Sequence, residues 1–215
     1  DGVDRVTPLA VRISRKPMWV KGFHRWMLGV AAQWLGQAQD CANAVAPMLV
    51  SREQGKRKSS FCKILMPKEL TPYYIDKYRA GQMPALKNLM QTTTLTFRRA
   101  HRPAFSHLPR IASFIGTSNM TDLLTDPTGS RRFLCAEVDD KIDCTPPDHA
   151  QLFAQLKAEL AGYSTATGIF IKCLPNRNCF CVVSGCRRKG SCPSPIPRRI
   201  CSIICRNIIR RPCVG

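Results

Sequence analysis

A lysine followed by two serines comes after a short apolar run and a basic loop in residues 47–65, PMLVSREQGKRKSSFCKIL. This order of residue types predicts a strand, a loop and a helix. In nucleotide-binding proteins that arrangement directs backbone N–H groups and a helix N-terminus at phosphate oxygens, with a Lys for charge and a Ser or Thr hydroxyl for Mg²⁺. Lys58 can supply the charge, and Ser59 or Ser60 can supply the hydroxyl. The stretch therefore predicts a phosphate-binding loop.

Two arginines replace the glycines that such a loop normally contains. Aligned with G-x-x-x-x-G-K-[ST], the loop has Arg52 and Arg57 at the glycine positions and keeps Gly55 inside. Glycine is used there because the backbone adopts positive φ or approaches the phosphates with no Cβ in between. A non-Gly residue in the left-handed conformation costs roughly 1–2 kcal/mol. Because arginine side chains can also fill the phosphate volume, we expect the loop to bind nucleotide weakly or not at all.

A polar residue at the end of a second predicted strand could complete this site. Residues 111–117, IASFIGT, are predicted to form a buried strand that leads into Ser118 and Asn119. Ligands of open α/β sheets bind at the carboxyl ends of the strands. Asn119 therefore either orients water or a γ-phosphate, or is an ordinary turn residue.

A pair of arginines follows a strong turn signal, DPTG at residues 126–129. Arg131 and Arg132 then lead into a predicted strand over residues 133–138. Paired arginines on a tight loop can neutralise the charge that develops on a transferred phosphoryl group. The alternative is that they form a surface ion pair.

Hydrophobic periodicity predicts the elements that must position these residues. Aromatic residues at helical spacing predict an amphipathic helix that Ser14 could cap and Gly36 could end. Its tryptophans are interpreted as core residues, with base stacking as the alternative. The remaining predictions are a strand at residues 48–50, a helix ending before Pro67, a helix from Pro84 to Gln91, a strand at TTTLTF and a helix over residues 145–160. Alternating strands and helices of this kind predict an α/β fold.

The charge balance points to an anionic partner. The chain has 33 Lys and Arg against 14 Asp and Glu, for a net charge of +19, and nucleic acid is the commonest partner of such a protein. Basic residues at positions 98–110 form either a DNA-facing loop or a solvated one; they are Arg98, Arg99, His101, Arg102 and Arg110. No signal peptide or membrane-spanning run is recognised, and sparse cysteines before residue 160 fit reduced thiols, so a cytoplasmic location is expected.

Eight segments of residues 1–160 together resemble the virulence-associated E family. They are DGVDRVTPLA, KGFHRWMLGVAAQWLG, VAPMLVSREQG, KSSFCKILMPKEL, PALKNLMQ, PRIASFIGTSN, LLTDPTGSRRFL and HAQLFAQLKAEL. The resemblance implies a P-loop NTPase core of the AAA+ or superfamily 3 helicase type, as in the primase-helicases of phages and mobile elements. It also implies ATP-driven DNA unwinding, a ring of identical subunits, a primase domain upstream or in trans, and a bacterial cytoplasmic location.

The resemblance also assigns roles within the predicted site. Lys58 would bind the β- and γ-phosphates of ATP and Ser59 the Mg²⁺ ion, while Asn119 would be the sensor and Arg131 or Arg132 the finger that reaches a neighbouring subunit's nucleotide. The expected cofactor-binding residues are Gln54, Gly55, Lys58, Ser59 and Ser60.

The acidic pair that holds Mg²⁺ and polarises the attacking water in this family has no clear counterpart. Between residues 74 and 83 the chain passes directly from TPYY to IDKYRAGQMP, where Asp76 is the remnant of the acidic run. The apolar run followed by acids at residues 133–140, FLCAEVDD, belongs to a different strand and is interpreted as a decoy. Without the acidic pair, we expect hydrolysis to fall by orders of magnitude.

The last 56 residues differ from the rest of the chain. Leu160 to Gly215 contains ten Lys or Arg and no Asp or Glu, and eight of the 12 cysteines lie between Cys173 and Cys213. The cysteine spacings contain no paired C-x₂-C knuckles, which argues against a zinc module. Because composition changes abruptly where the resemblance stops, we interpret the tail as an out-of-frame translation, with a metal-binding or disulfide module as the alternative.

The sequence thus predicts three regions. Residues 1–46 form an N-terminal helical segment, residues 47–160 a truncated P-loop ATPase-like domain with an incomplete core, and residues 161–215 an irregular Cys- and Arg-rich tail. The predicted function is a degraded ATPase and DNA helicase domain. The alternative is a non-catalytic, basic nucleic-acid-binding remnant that uses Arg98, Arg99, Arg102 and the tail.

Overall fold

A computed structural model describes residues 2–38, 43–74, 83–98, 104–119 and 132–166. These residues form a mixed α/β structure with one parallel and one antiparallel sheet. The helices are α1 (Val6–Val11), α2 (Pro17–Trp34), α3 (Lys58–Ile64), α4 (Met83–Gln91), α5 (His149–Ala166) and a 3₁₀ helix at Lys68–Tyr73; the strands are β1 (Ala46–Val50), β2 (Thr94–Arg98), β3 (Phe105–Pro109), β4 (Gly116–Ser118) and β5 (Phe133–Glu137). Within the described ranges, no helix has the length and apolar character needed to cross a membrane.

Helix α2 forms the centre of the hydrophobic core. Trp19, Phe23 and Trp26 are buried along one face, and the Phe23 ring lies 6.4 Å from the ring of Phe61 in α3. This packing confirms the interpretation of the tryptophans as core residues. Gly36 follows the helix end with φ +70°, the left-handed conformation that terminates helices at low cost for glycine.

Residues near the start of the chain form a short helix that packs against α2. Helix α1 buries Val6, Leu9 and Ala10, and the Trp19 indole N–H donates to the Ala10 carbonyl oxygen at 2.9 Å. The prediction that Ser14 caps α2 is wrong, because the helix begins at Pro17 and its N-cap residue is Lys16. Proline at the first helical position needs no hydrogen-bond acceptor for its nitrogen.

The parallel sheet has the strand order β4-β1-β5, with β1 in the middle. Val50 at the end of β1 is in register with Ser118 of β4 on one side and with Glu137 of β5 on the other. The carboxyl ends of all three strands therefore meet at one edge of the sheet. Since both neighbours of β1 come later in the chain and lie on opposite sides, this edge is also a point where strand order switches, the usual place for a ligand.

The strand predicted over residues 111–117 is shorter than expected, because only residues 116–118 join the sheet. Polar side chains engage the preceding segment instead. The Arg110 guanidinium donates to the Ala112 carbonyl oxygen, and the Ser113 hydroxyl donates to Gln33 Oε1 at 2.5 Å. The second of these bonds joins the segment to α2, and within β4 only residues 116–118 pair with β1.

Helix α5 packs as predicted but begins later than expected. Its residues Leu152, Phe153, Leu156 and Leu160 are buried in the same hydrophobic cluster as α1, α2, β1 and α3. The helix begins at His149, and the Asp148 carboxylate accepts a hydrogen bond from the Gln151 backbone N–H at 3.1 Å. The division into residues 1–46 and 47–160 stays a prediction, although the two ranges share this cluster.

Candidate functional site

The predicted phosphate loop lies between β1 and α3, at the edge where the parallel strands end. The Ser51 backbone N–H donates to the Ser118 carbonyl oxygen at 3.1 Å, which continues the β1–β4 pairing one residue into the loop. Residues 52–57 then turn back to α3, whose first residue is Lys58. The predicted order of strand, loop and helix is confirmed, and its place in the sheet is the one at which α/β proteins bind ligands.

Lys58 is buried in this loop although it carries a positive charge. Its side chain is held by three oxygens: Nζ lies 3.0 Å from the Ser51 carbonyl oxygen, 3.3 Å from the Glu53 carbonyl oxygen and 2.7 Å from Asn119 Oδ1. An ammonium group has three donors, so these acceptors satisfy it fully. Burial lowers the pKa of Lys58. Within the described residues no carboxylate lies at ion-pairing distance, so all three partners are neutral.

The structure brings together Lys58 and Asn119, two predicted site residues that follow different strands of the sheet. Asn119 follows β4 directly and is exposed, with its amide oxygen turned towards the ammonium group. The oxygen must face Lys58, because an ammonium group offers donors only. A polar side chain is thus placed beside the lysine from the neighbouring strand, as an end-of-strand sensor requires. Its catalytic role stays a prediction.

The backbone of the loop has positive φ at Gly55 (+80°) and at Arg57 (+60°). Arg57 is the sole non-glycine residue with positive φ in the described part of the chain, and its ψ of 24° places it in the left-handed helical region. The expectation of a left-handed conformation is therefore confirmed at Arg57. It does not hold at Arg52, which does not have a positive φ.

The other predicted phosphate-binding residues face solvent. Gln54 and Gly55 are exposed in the loop, and Ser59 and Ser60 are exposed in the first turn of α3. A Cβ added at Gly55 would meet no atom within 4 Å, so the loop is open on that side. Among the described residues, no group of three or more His, Cys, Asp or Glu side chains could hold a metal ion. The predicted Mg²⁺ ligand Ser59 therefore has no carboxylate set around it there.

A segment after β5 supports the loop from the side opposite Asn119. The Val138 backbone N–H donates to the Val50 carbonyl oxygen at 2.8 Å, and the Ile142 backbone N–H donates to the Lys56 carbonyl oxygen at 3.2 Å. Ile142 is 2% exposed and anchors the segment in the core. We call residues 138–142 the brace.

Lys56 joins the loop to the brace through its side chain. Its Nζ lies 2.8 Å from Glu53 Oε2 and donates to the Asp139 carbonyl oxygen at 2.6 Å. The hydrogen bond between the two side chains raises the pKa of Lys56 and lowers the pKa of Glu53. Sequence reasoning missed these contacts, because it set aside FLCAEVDD as belonging to another strand. That strand is a direct neighbour of β1 and ends at the same edge of the sheet. The apolar residues Val138 and Ile142, on either side of the acids, were the signal in the sequence that this segment is anchored in the core.

The predicted arginine-finger residues precede β5 in the chain, and that strand begins at the opposite end of the sheet from the loop. Arg131 is outside the described residues, and Arg132 precedes β5 at the amino end of the sheet. Since Ala46 pairs with Phe133 and Val50 with Glu137, Arg132 is roughly 16 Å along the strand direction from the loop of its own chain. The buried Nε atom of Arg132 has no hydrogen-bond partner among the described residues. This position does not suit contact with the loop of the same chain.

Arg110 belongs to the core and not to the basic surface in which the sequence analysis placed it. It is 3% exposed and donates to the carbonyl oxygens of Thr92 (2.7 Å) and Met90 (3.0 Å) at the end of α4, as well as to that of Ala112. Its cation lies 5.4 Å from the Phe114 ring centre. Burial lowers the pKa of Arg110 to about 10. Arg110 therefore supports the end of α4 and cannot face DNA.

The hairpin of β2 and β3 presents an exposed basic and aromatic face. Arg98 is opposite Phe105, and Thr96 is opposite His107, with Thr96 Oγ1 3.0 Å from His107 Nδ1. Opposite residues of an antiparallel pair share one face, and all four of these side chains are exposed, with Phe105 at 63%. Arg99, His101 and Arg102 lie outside the described residues. The face combines a flat aromatic ring with a neighbouring cation.

Comparison with known proteins gives one family match. Residues 74–167 match the model of the virulence-associated protein E-like domain. The resemblance of the sequence to the virulence-associated E family is therefore confirmed over these residues. Asn119, the hairpin and β5 lie inside the matched range, whereas Lys58 and the loop precede it.

The comparison with solved structures is more distant. The chain is similar to a structure titled "The apo structure of NrS-1 C terminal region (305-718)", with 16% sequence identity and a TM-score of 0.45. The similarity covers 74% of this chain and 44% of that chain, so this chain spans less than half the length of the solved one. No curated protein matches the chain.

Proposed function

We propose that this chain is the P-loop ATPase-like part of a virulence-associated E-type DNA helicase, acting with a primase in the replication of phage or mobile-element DNA. The observation that carries the proposal is the buried Lys58 ammonium at the carboxyl end of β1, hydrogen-bonded to Asn119 from the adjacent strand at 2.7 Å. The family match over residues 74–167 supports the same assignment.

A phosphate group can replace part of the lysine's present environment. The Glu53 carbonyl oxygen is the most distant of its three acceptors, at 3.3 Å, and a phosphate oxygen would form a stronger, charge-assisted hydrogen bond in its place. The positive charge has no carboxylate partner among the described residues, so an incoming anion would not have to displace one. Asn119 would then lie beside the terminal phosphate of ATP.

Nucleotide binding and hydrolysis are separate parts of the proposal. Ser59 would be a Mg²⁺ ligand when a nucleotide is bound, but Mg²⁺ sites in phosphoryl-transfer proteins also use one or two carboxylates. Asp76, the remnant of the expected acidic run, lies outside the described residues. We therefore propose weak ATP binding with hydrolysis slower by orders of magnitude than in an intact site.

Assembly into a ring would explain the position of Arg132. Because this residue is at the opposite edge of the sheet from its own loop, a finger role requires the nucleotide of a neighbouring subunit. DNA in such a ring is the proposed substrate, with the primase domain upstream or in trans.

Binding of ATP with Mg²⁺ to the full chain tests the proposal. The informative variants are Lys58→Met and Asn119→Ala, and the matched control is Lys63→Met, which removes an exposed lysine from the same helix. We expect Lys58→Met to weaken ATP binding at least tenfold, Asn119→Ala to weaken it severalfold, and Lys63→Met to have little effect. Binding that is equally strong in the wild type and in Lys58→Met would refute the proposed site.

A second candidate function is nucleic-acid binding that does not depend on ATP. The exposed face containing Phe105 and Arg98 supports it, because an aromatic ring stacks on unpaired bases and a cation neutralises phosphate. We expect Phe105→Ala to weaken binding of a single-stranded oligonucleotide with little change in salt dependence, and Arg98→Ala to reduce the salt slope by about one. Binding unaffected by either change would exclude the hairpin.

A further inference from the structure

Two nearby lysines contact Glu53, one at its side-chain carboxylate and one at its backbone carbonyl. Its carboxylate pairs with Lys56 at 2.8 Å, and its carbonyl oxygen accepts a hydrogen bond from Lys58 at 3.3 Å. Lys56 is itself tied to the brace through the Asp139 carbonyl oxygen. In this arrangement of the loop, the Glu53 carbonyl oxygen faces the ammonium group.

This orientation is unfavourable for an anion. Carbonyl oxygens carry partial negative charge, so those of Ser51 and Glu53 would repel a phosphate placed against Lys58. A loop that cradles phosphate instead directs backbone N–H groups inward. For an anion to reach Lys58, the peptide group after Glu53 has to turn away, and the contacts of Lys56 oppose that rotation.

We propose that Lys56 acts as an autoinhibitory latch, which holds Glu53 and the brace together so that the phosphate loop stays closed over Lys58. This inference rests on the proposed function for its ligand, a nucleoside triphosphate, and on the loop contacts alone for the latch itself. Opening the latch exposes the ammonium group to phosphate. Because Glu53 is 74% exposed, the ion pair contributes modestly, and an exposed pair corresponds to roughly a two- to fivefold change in an equilibrium constant.

The direction of the change in ATP affinity distinguishes a latch from simple charge attraction. Removing a loop cation weakens anion binding by electrostatics alone, so Arg52→Met, an exposed position in the same loop, is the matched control. We expect Lys56→Met to bind ATP with Mg²⁺ about two- to fivefold more tightly than the wild type, whereas Arg52→Met binds it less tightly. Weaker binding in both variants would overturn the latch.

Hydrogen exchange without any ligand tests the latch independently of nucleotide binding. The Ile142 amide donates to the Lys56 carbonyl oxygen, and it reports whether the loop and the brace separate. We expect exchange at Ile142 and at loop residues 53–57 to become roughly three- to tenfold faster in Lys56→Met and to stay unchanged in Arg52→Met. Unchanged exchange in Lys56→Met would refute the latch even if ATP binds. Faster exchange without ATP binding would support the latch and reject the proposed ligand.

Discussion

Replacement of Arg57 by glycine should stabilise the protein, which is unusual for a change that removes a long side chain. Arg57 has φ 60° and ψ 24° and precedes the first residue of α3. The left-handed conformation costs a non-glycine residue roughly 1–2 kcal/mol, and glycine avoids that cost. Glycine also loses more backbone freedom on folding, which offsets about 0.5–1 kcal/mol of the gain. We expect a net stabilisation of about 0.5–1 kcal/mol.

Two control variants separate strain from the other properties of Arg57. Arg52→Gly removes the same side chain from a position without positive φ, so we expect it to be neutral or to destabilise by up to about 1 kcal/mol. Arg57→Asn keeps a Cβ but tolerates the left-handed region, and we expect it to recover part of the gain. Hydrogen bonds from Thr145 lower the pKa of Asp143, and the charges of Arg12 and then Arg57 lower it further.

Thermal unfolding monitored by circular dichroism gives the comparison directly. For a chain of this size, 1 kcal/mol corresponds to about 2–4 °C in Tm. We expect Arg57→Gly to raise Tm by about 1–4 °C, with Arg52→Gly unchanged or lower. If the two glycine variants shift Tm equally, or if Arg57→Gly lowers it, the strain argument is wrong. The same variants test the site, because we expect the Arg52→Gly, Arg57→Gly double variant to gain ATP affinity over the wild type.

Three further predictions concern the supporting structure. Arg110→Met leaves the carbonyl groups at the end of α4 without donors. Because each unpaired buried acceptor costs about 1–3 kcal/mol, Tm should fall by roughly 6 °C or more. A decrease in Tm below 2 °C would contradict the core role of Arg110. Gly29→Ala should destabilise the protein by about 1–3 kcal/mol, because the added Cβ would lie 2.8 Å from the Asn43 side chain. At Gly162 in α5 an added Cβ would meet no atom within 4 Å, so Gly162→Ala should stabilise the protein slightly. Denaturation midpoints that move in the same direction would refute this contrast. Burial opposes ionisation of Asp4, but hydrogen bonds from Thr7 and Gln155 outweigh it and lower the pKa of Asp4 from 3.8 to about 2. Because the pKa of Asp4 is lower in the folded state than in the unfolded state, this stabilisation is present above about pH 4 and is lost as the pH falls towards 2. For so exposed a side chain it contributes about 1 kcal/mol or less. Asp4→Asn should therefore make the free energy of unfolding less dependent on pH over that range.

Hydrophobic spacing and residue type were enough to predict most of the described helices and strands. The apolar faces of α2 and α5 follow helical periodicity over long segments, and periodicity determines which side of a helix is buried. The strand, loop and helix around Lys58 were predicted for the same local reason. The strand over residues 111–117 was overestimated because its apolar residues resemble a strand, while distant polar groups on α2 compete for part of it.

Local sequence alone therefore determined most of the elements, the lysine at the start of α3 and two candidate positions for a left-handed residue, of which Arg57 is one. Tertiary structure decided which of these residues meet. The parallel pairing of β4 and β5 with β1 placed Asn119 beside Lys58, put Arg132 at the far edge of the sheet and brought the brace against Lys56. The physical reason is that strand order and register are set by packing between residues far apart in the chain, which no local pattern records. Burial of Arg110 has the same origin, since its partners belong to α4 and to the loops around it.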